Sequence, residues 1–162
     1  MTAEPFEALV TEHGPTVMRV CRALLGPVDA DDAWSETFIA ALRAYPDLRP
    51  DSNVRGWLVT IAHHKAIDHH RRTSRTPRPT AEVPETVTPD ALDGPAGEDG
   101  DLVRALGALP FKQRKAVAYR YLADLSYADV GALLECSATA ARRNAADGIA
   151  ALRRSYGTET SR

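Results

Sequence analysis

The sequence predicts an all-α protein made of two small helical domains. Three observations carry that expectation. Apolar residues recur at intervals of three and four rather than at every second position. Alternating strand-like runs are almost absent. A 28-residue stretch rich in proline and glycine, 73–100, divides the helical pattern in two.

Taken in order, Phe6, Leu9, Val10, Val17, Val20, Leu24 and Leu25 follow helical spacing up to Gly26-Pro27, which reads as a stop. A helix is expected next from about Asp29 to Tyr45, ahead of Pro46. Its start carries Asp29, Asp31 and Asp32, where the helix dipole favours negative charge. A third helix should run from Val54 to about Arg72, with Trp57, Leu58, Ile61, Ala62 and Ile67 on one side. Residues 73–100 hold five prolines, three glycines and few large apolar side chains. They read as an extended linker whose ends, as a coil, would lie roughly 30 Å apart. Beyond it, Leu102 to Leu109 forms a helix, and Pro110 occupies a first-turn position. The helix after it is expected from Phe111 to Leu122, with Val117, Tyr121 and Leu122 inward. The expected divisions are a helical domain over 1–72, the linker over 73–100, a second helical domain over 101–156 and a tail over 157–162.

The most informative stretch is 125–137, LSYADVGALLECS. Ser126 caps a short helix and Asp129, three residues on, completes the pattern of a capping box. Val130, Leu133 and Leu134 form an apolar stripe. Ser137 caps a second helix that presents Arg142, Arg143 and Asn144, with Ala141, Ala145, Ile149 and Leu152 as its packing stripe. A short helix, a tight turn and a basic second helix make a helix-turn-helix unit, whose second helix enters the DNA major groove.

Charge distribution agrees. The chain has a net charge of −2, with −2 in residues 1–72, −4 in 73–100 and +4 in 101–162. The helix-turn-helix third is therefore positive, as phosphate binding requires. No apolar run approaches the roughly 20 residues of a membrane span. The acidic N-terminus lacks the basic and apolar regions of a signal peptide. Cys21 and Cys136 are too few for a disulfide framework or a cysteine zinc site. A cytoplasmic location with reduced thiols is expected.

The two halves together resemble regions 2 and 4 of the extracytoplasmic-function (ECF) group of the bacterial primary sigma-factor family. The region-2 likeness rests on Asp29, Ala30, Asp32, Glu36, Thr37 and Phe38, then Asn53, Arg55, Trp57, Leu58, Ile61, Ala62, Asp68 and Arg71. The region-4 likeness rests on Leu109, Pro110, Arg114, Ala116, Arg120, Tyr121, Leu125, Ser126 and Tyr127. Four positions depart from the pattern. Ser35 replaces a usual glutamine, His64 a frequent asparagine and Glu135 the usual turn glycine, and Asp147 falls where the last helix is usually basic.

The resemblance implies an RNA polymerase sigma factor with core RNA polymerase and promoter DNA as partners, an anti-sigma factor as a further candidate partner, and no membrane partner, cofactor or active site. Asp29, Asp31, Asp32, Glu36 and Phe38 would meet the polymerase. Asn53, Arg55, Trp57, His64, Lys65, Arg71 and Arg72 would track the minus-ten strand, near a loop over 47–53 that holds a flipped base. Trp57 is open to two readings, stacking on a base or packing in the core. Thr139, Arg142, Arg143 and Asn144 would meet the minus-thirty-five element.

Two rival functions remain in view. One is a helix-turn-helix regulator acting without polymerase, for which the acidic helix has no use. The other is a metal-dependent hydrolase built on His63, His64, Asp68, His69 and His70. Its adjacent histidine pairs point to different sides of one helix, which argues against shared coordination.

Overall fold

The structure, a computed structural model, describes residues 5–75 and 98–160. Among these every regular element is helical, as the sequence predicts. Most of the expected linker lies outside the described residues.

Helix α1 spans Phe6–Ala44 and contains the expected break as a kink rather than a loop. Gly26 has φ 82° and ψ 174°, and Pro27 follows. Only glycine enters that backbone region without strain, and proline's fixed φ suits a restarted first turn. A 3-10 turn, Tyr45–Asp47, closes α1. Helix α2, Val54–Arg75, starts where the Asn53 side-chain oxygen accepts from the Gly56 N–H at 3.2 Å. The expected domain-internal core forms between them, from Val17, Cys21, Ala30, Ala33, Phe38 and Ala41 of α1 and Leu58 and Ala62 of α2. Half-buried Trp34 and Trp57 pack against it.

The C-terminal half comprises α3 (Glu98–Gly107), α4 (Phe111–Val117), α5 (Tyr127–Leu134) and α6 (Ala138–Thr160). Pro110 stands just before α4, in extended backbone, and its carbonyl accepts from Arg114 N–H. The helix expected to run on to Leu122 changes at Ala118 into a π-helical turn, Ala118–Leu122. The wider turn shifts the inward side. Tyr119 is fully buried and Tyr121 is 55% exposed, which corrects the expectation that Tyr121 faces inward.

A second core cluster crosses between the halves. Val20, Ala23 and Leu24 of α1 and Val59 and Ala66 of α2 pack with Leu106, Leu109, Tyr119, Leu125, Val130, Ala141, Ala145 and Leu152. Helices α1 and α2 thus carry two apolar stripes each. Val17 and Cys21 face their own half, while Val20 and Leu24 face the other.

The turn between α5 and α6 sets the sharpest local constraints. Glu135 takes the left-handed conformation, φ 61° and ψ 46°, that glycine occupies in the related pattern. A Cβ on buried Gly131 would lie 2.6 Å from the Cys136 carbonyl oxygen, so the helix can turn back only over a glycine. Glu135→Gly should therefore raise stability by about 1 kcal/mol. Gly131→Ala should lower it by about 2 kcal/mol or more. Thermal unfolding of both variants checks the pair, with Tm shifts of opposite sign expected.

Candidate nucleic-acid interface

Both caps of the helix-turn-helix unit are made. Ser126 Oγ accepts from Asp129 N–H at 3.1 Å, and Ser137 Oγ accepts from Ala140 N–H at 3.0 Å. These bonds satisfy N–H groups the helix starts would leave open. Ala141, Ala145 and Leu152 are buried, and Ile149 is half-buried, as the expected packing stripe requires.

The outward side of α6 carries Thr139, Arg142 and Arg143, all exposed. Arg142 is held: its guanidinium lies 5.0 Å from the Tyr127 ring centre. Arg120 also lies over that ring at 5.1 Å and over Tyr121 at 5.8 Å. The Tyr121 and Tyr127 hydroxyls approach to 3.5 Å. This contact raises the pKa of the Tyr121 hydroxyl. The result is a row of two arginines and two tyrosines on the surface of the unit. Asn144 is different. Its amide donates one N–H to the Ala140 carbonyl of its own helix at 3.2 Å, and the residue is half-buried.

The candidate minus-ten residues do not form one patch. His64, Arg71 and Arg72 are exposed, and Lys65 is half-buried. At 100° per residue, His64 and Arg71 lie within about 20° of each other on the outer side of α2. Asn53 is the cap of α2. Trp57 belongs with the core of its own half, the second of its two readings. Arg55 turns toward the C-terminal half, where Nη2 donates to the Asp124 carbonyl at 3.5 Å.

On α1, Asp31 and Asp32 are exposed, Asp29 is half-buried, and apolar Ile39 and Leu42 are 51% and 55% exposed beyond them. Glu36 lies 3.4 Å from His69 Nε2 and is partly engaged within the chain. Phe38 is corrected from a surface residue to a core residue. It is 6% exposed, with its ring centre 4.6 Å from that of Trp34 and 6.4 Å from that of Phe6. A ring so enclosed packs inside the N-terminal half beneath the acidic helix.

The histidines serve separate contacts. His63 Nδ1 lies 2.6 Å from the Tyr119 hydroxyl, fully inside the protein. A neutral ring can accept from the tyrosine hydroxyl at Nδ1. His70 stacks on Phe111, ring centres 3.7 Å apart and planes 9° apart. Among the described residues no three His, Cys, Asp or Glu side chains converge as a metal site.

Comparison with known proteins agrees with this geometry. The Sigma-70 region 2 family model matches residues 9–76, and the Sigma-70 region 4 model matches residues 99–152. The chain is 35% identical over 136 residues to the ECF RNA polymerase sigma factor SigC of Mycobacterium tuberculosis, covering 80% of this chain and 71% of that protein. It is 30% identical over 159 residues to the RNA polymerase sigma factor CarQ of Myxococcus xanthus, covering 95% of this chain and 90% of that one. Among solved structures, CnrH in complex with the cytosolic domain of CnrY is similar with TM-score 0.67 and 25% identity, over 94% of this chain and 88% of that chain. The sigma factor RpoE of Bartonella quintana, in complex with the anti-sigma factor NepR, shares the fold with TM-score 0.72 and 19% identity, over 92% of this chain and 94% of that chain.

Two helical halves, one ending in a helix-turn-helix, define a sigma-70 type transcription initiation factor. The chain belongs to the ECF group of RNA polymerase sigma factors.

Protonation should act on the His63 contact. Burial first, then Lys115 and His64, lower the His63 pKa to about 4 from an ordinary 6.5. The unfolded chain therefore binds the extra proton between pH 6.5 and 4, so the contribution of neutral His63 is complete above pH 6.5 and is lost as pH falls through that window. Tm measured from pH 7 to pH 4 should fall, and His63→Leu should flatten the part of that fall that belongs to His63.

Proposed function

We propose that this sigma factor meets core RNA polymerase through the acidic second segment of α1 and reads two promoter elements with its two halves. The carrying observation is the capped helix-turn-helix with exposed Arg142 and Arg143 at the start of α6. Recognition helices make base contacts from this end. Exposed His64, Arg71 and Arg72 on α2 support the minus-ten assignment, with Lys65 at its edge. Asp29, Asp31, Asp32 and Glu36, beside exposed Ile39 and Leu42, support a polymerase surface in which acidic and apolar groups lie together. The chain then acts by binding and holds no active site. Its working units are the domains over 1–72 and 101–156, joined by the acidic linker over 73–100. Core polymerase and promoter DNA are its partners, an anti-sigma factor is a further one, and its place is the cytoplasm. No helix among the described residues is long and apolar enough to cross a membrane.

The acidic surface is tested by Asp31→Lys with Asp32→Lys. Both positions are exposed, so the fold should persist. Co-purification with core polymerase should be lost while the thermal unfolding curve stays near that of the parent. Undiminished co-purification contradicts the assignment.

The recognition helix should divide its work. Arg142 is braced on Tyr127, which suits a phosphate contact, whereas Arg143 makes no ion pair or hydrogen bond among the described residues and is free to enter the groove. Arg143→Ala should relax preference at one base pair by about 1–3 kcal/mol. Arg142→Ala should weaken binding to all sequences alike and lower the salt slope by about one. Holoenzyme binding to single-base promoter variants over a salt series separates these outcomes.

A further inference from the structure

One tyrosine ring joins the two helices of the helix-turn-helix and carries two cations. Tyr127 opens α5, directly after the Ser126 cap that fixes the start of the helix. It is half-buried and packs against the core cluster that holds Leu125, Val130 and Ala141. The Arg120 guanidinium lies 5.1 Å from its ring centre, and that of Arg142 lies 5.0 Å from it. Both are inside the roughly 6 Å over which an aromatic ring attracts a cation.

The two arginines are held in different ways. Arg120 is tied into the joint between the π-helical turn and α5. Its Nη1 donates to the Leu125 carbonyl at 3.2 Å and lies 3.7 Å from an Asp124 carboxylate oxygen. Asp124 turns the chain at this joint with a left-handed φ of 58°. Arg120 also lies 5.8 Å from the ring centre of Tyr121. Arg142 has none of these supports. Among the described residues the Tyr127 ring is its one side-chain partner, and Arg143 beside it has no ring against it.

Contacts therefore run from Asp124 and Leu125 through Arg120 to Tyr127, and from Tyr127 to Arg142. They begin at a backbone turn and end at an exposed cation on α6. Two guanidiniums on one ring repel each other, and the Asp124 carboxylate offsets that of Arg120. Arg142 is left as the member of the pair with no carboxylate beside it among the described residues. A free arginine samples many rotamers and loses that freedom when a phosphate orders it. A ring that already restricts the side chain removes part of this cost before DNA arrives. The effect is the same for every base sequence.

We infer that Tyr127 is a positioning residue for promoter binding: anchored by Arg120, its ring presets the Arg142 guanidinium for the DNA backbone. This role rests on the assignment of Arg142 to a phosphate contact above. It belongs to the ring face, so the Tyr127 hydroxyl, 3.5 Å from that of Tyr121, is dispensable to it.

Two readouts test the role. In NMR spectra of the free full chain, the ring current should move the Arg142 side-chain protons upfield of those of Arg143. The shift should persist in Tyr127→Phe and vanish in Tyr127→Leu. In holoenzyme bound to promoter duplexes, Tyr127→Leu should weaken binding about three-fold, the size of one exposed ring–cation contact, equally for all single-base variants. The salt slope should stay at its wild-type value, because Arg142 keeps its charge. Tyr127→Phe should bind like wild type. In the Arg142→Ala background, Tyr127→Leu should add no further loss. Arg142 protons without an upfield shift overturn the role. So does Tyr127→Phe binding as weakly as Tyr127→Leu, which assigns the effect to the hydroxyl. So do losses that add in the double variant, which show that Tyr127 acts other than through Arg142. If Tyr127→Leu does not fold, Tyr127→Met, which also lacks a ring, is read by the same criteria. Failure of the underlying reading looks different. Wild-type holoenzyme that binds no promoter removes the phosphate assignment of Arg142 and this role with it, whereas wild-type binding with additive losses removes this role alone.

Discussion

The hydrogen bond between His63 and Tyr119 organises the rest of the molecule. Both groups are enclosed, so each would carry an unmet polar atom without the other, at a cost of about 1–3 kcal/mol. The bond joins α2 to the π-helical turn of the C-terminal half. Around it α1 supplies Val20, Ala23 and Leu24, and the helix-turn-helix supplies Leu125 and Val130. Burial also sets the chemistry of the groups nearby. It lowers the pKa values of His63 and Lys115, raises that of Tyr119 and pushes the Cys21 thiol up to about 12. These groups are therefore held as structural neighbours, and Cys21 is kept from acting as a thiolate nucleophile near neutral pH.

The consequence is a division of labour between sides of the same helices. Val17 and Cys21 of α1 and Leu58 and Ala62 of α2 build the N-terminal core, while the stripes beside them meet the C-terminal half. The remaining sides carry the acidic and apolar second segment of α1, the basic outer side of α2 and the arginine-bearing start of α6.

Much of the architecture was legible because it follows from local rules. Gly26-Pro27 marked the break in α1, and Ser126 and Ser137 marked both helix starts of the helix-turn-helix. Glu135 was recognisable as an unusual residue for a turn, and it accepts the left-handed conformation there. The seam between the halves was not legible because its polar and ring contacts join residues 41 to 90 positions apart. One signal was present, the spacing of Val59, His63, Ala66 and His70, but the histidines within it read as polar and hid the stripe. Phe38 was assigned to the surface from its place in a motif, while helical phase with Trp34 and Ala41 puts it inside. Tyr121 lies outward and Tyr119 inward because a π turn shifts the phase that regular helical spacing assumes. Arg55 and Asn144 are each engaged within the chain by a bond that spacing alone does not reveal.

The most direct test of the account is run-off transcription by core RNA polymerase supplied with this chain and a library of randomised promoters. The account predicts transcripts from templates that share two short elements about 25 base pairs apart, and none with core polymerase alone. Transcripts that depend on a single element, or none at all with the purified chain present, would contradict it.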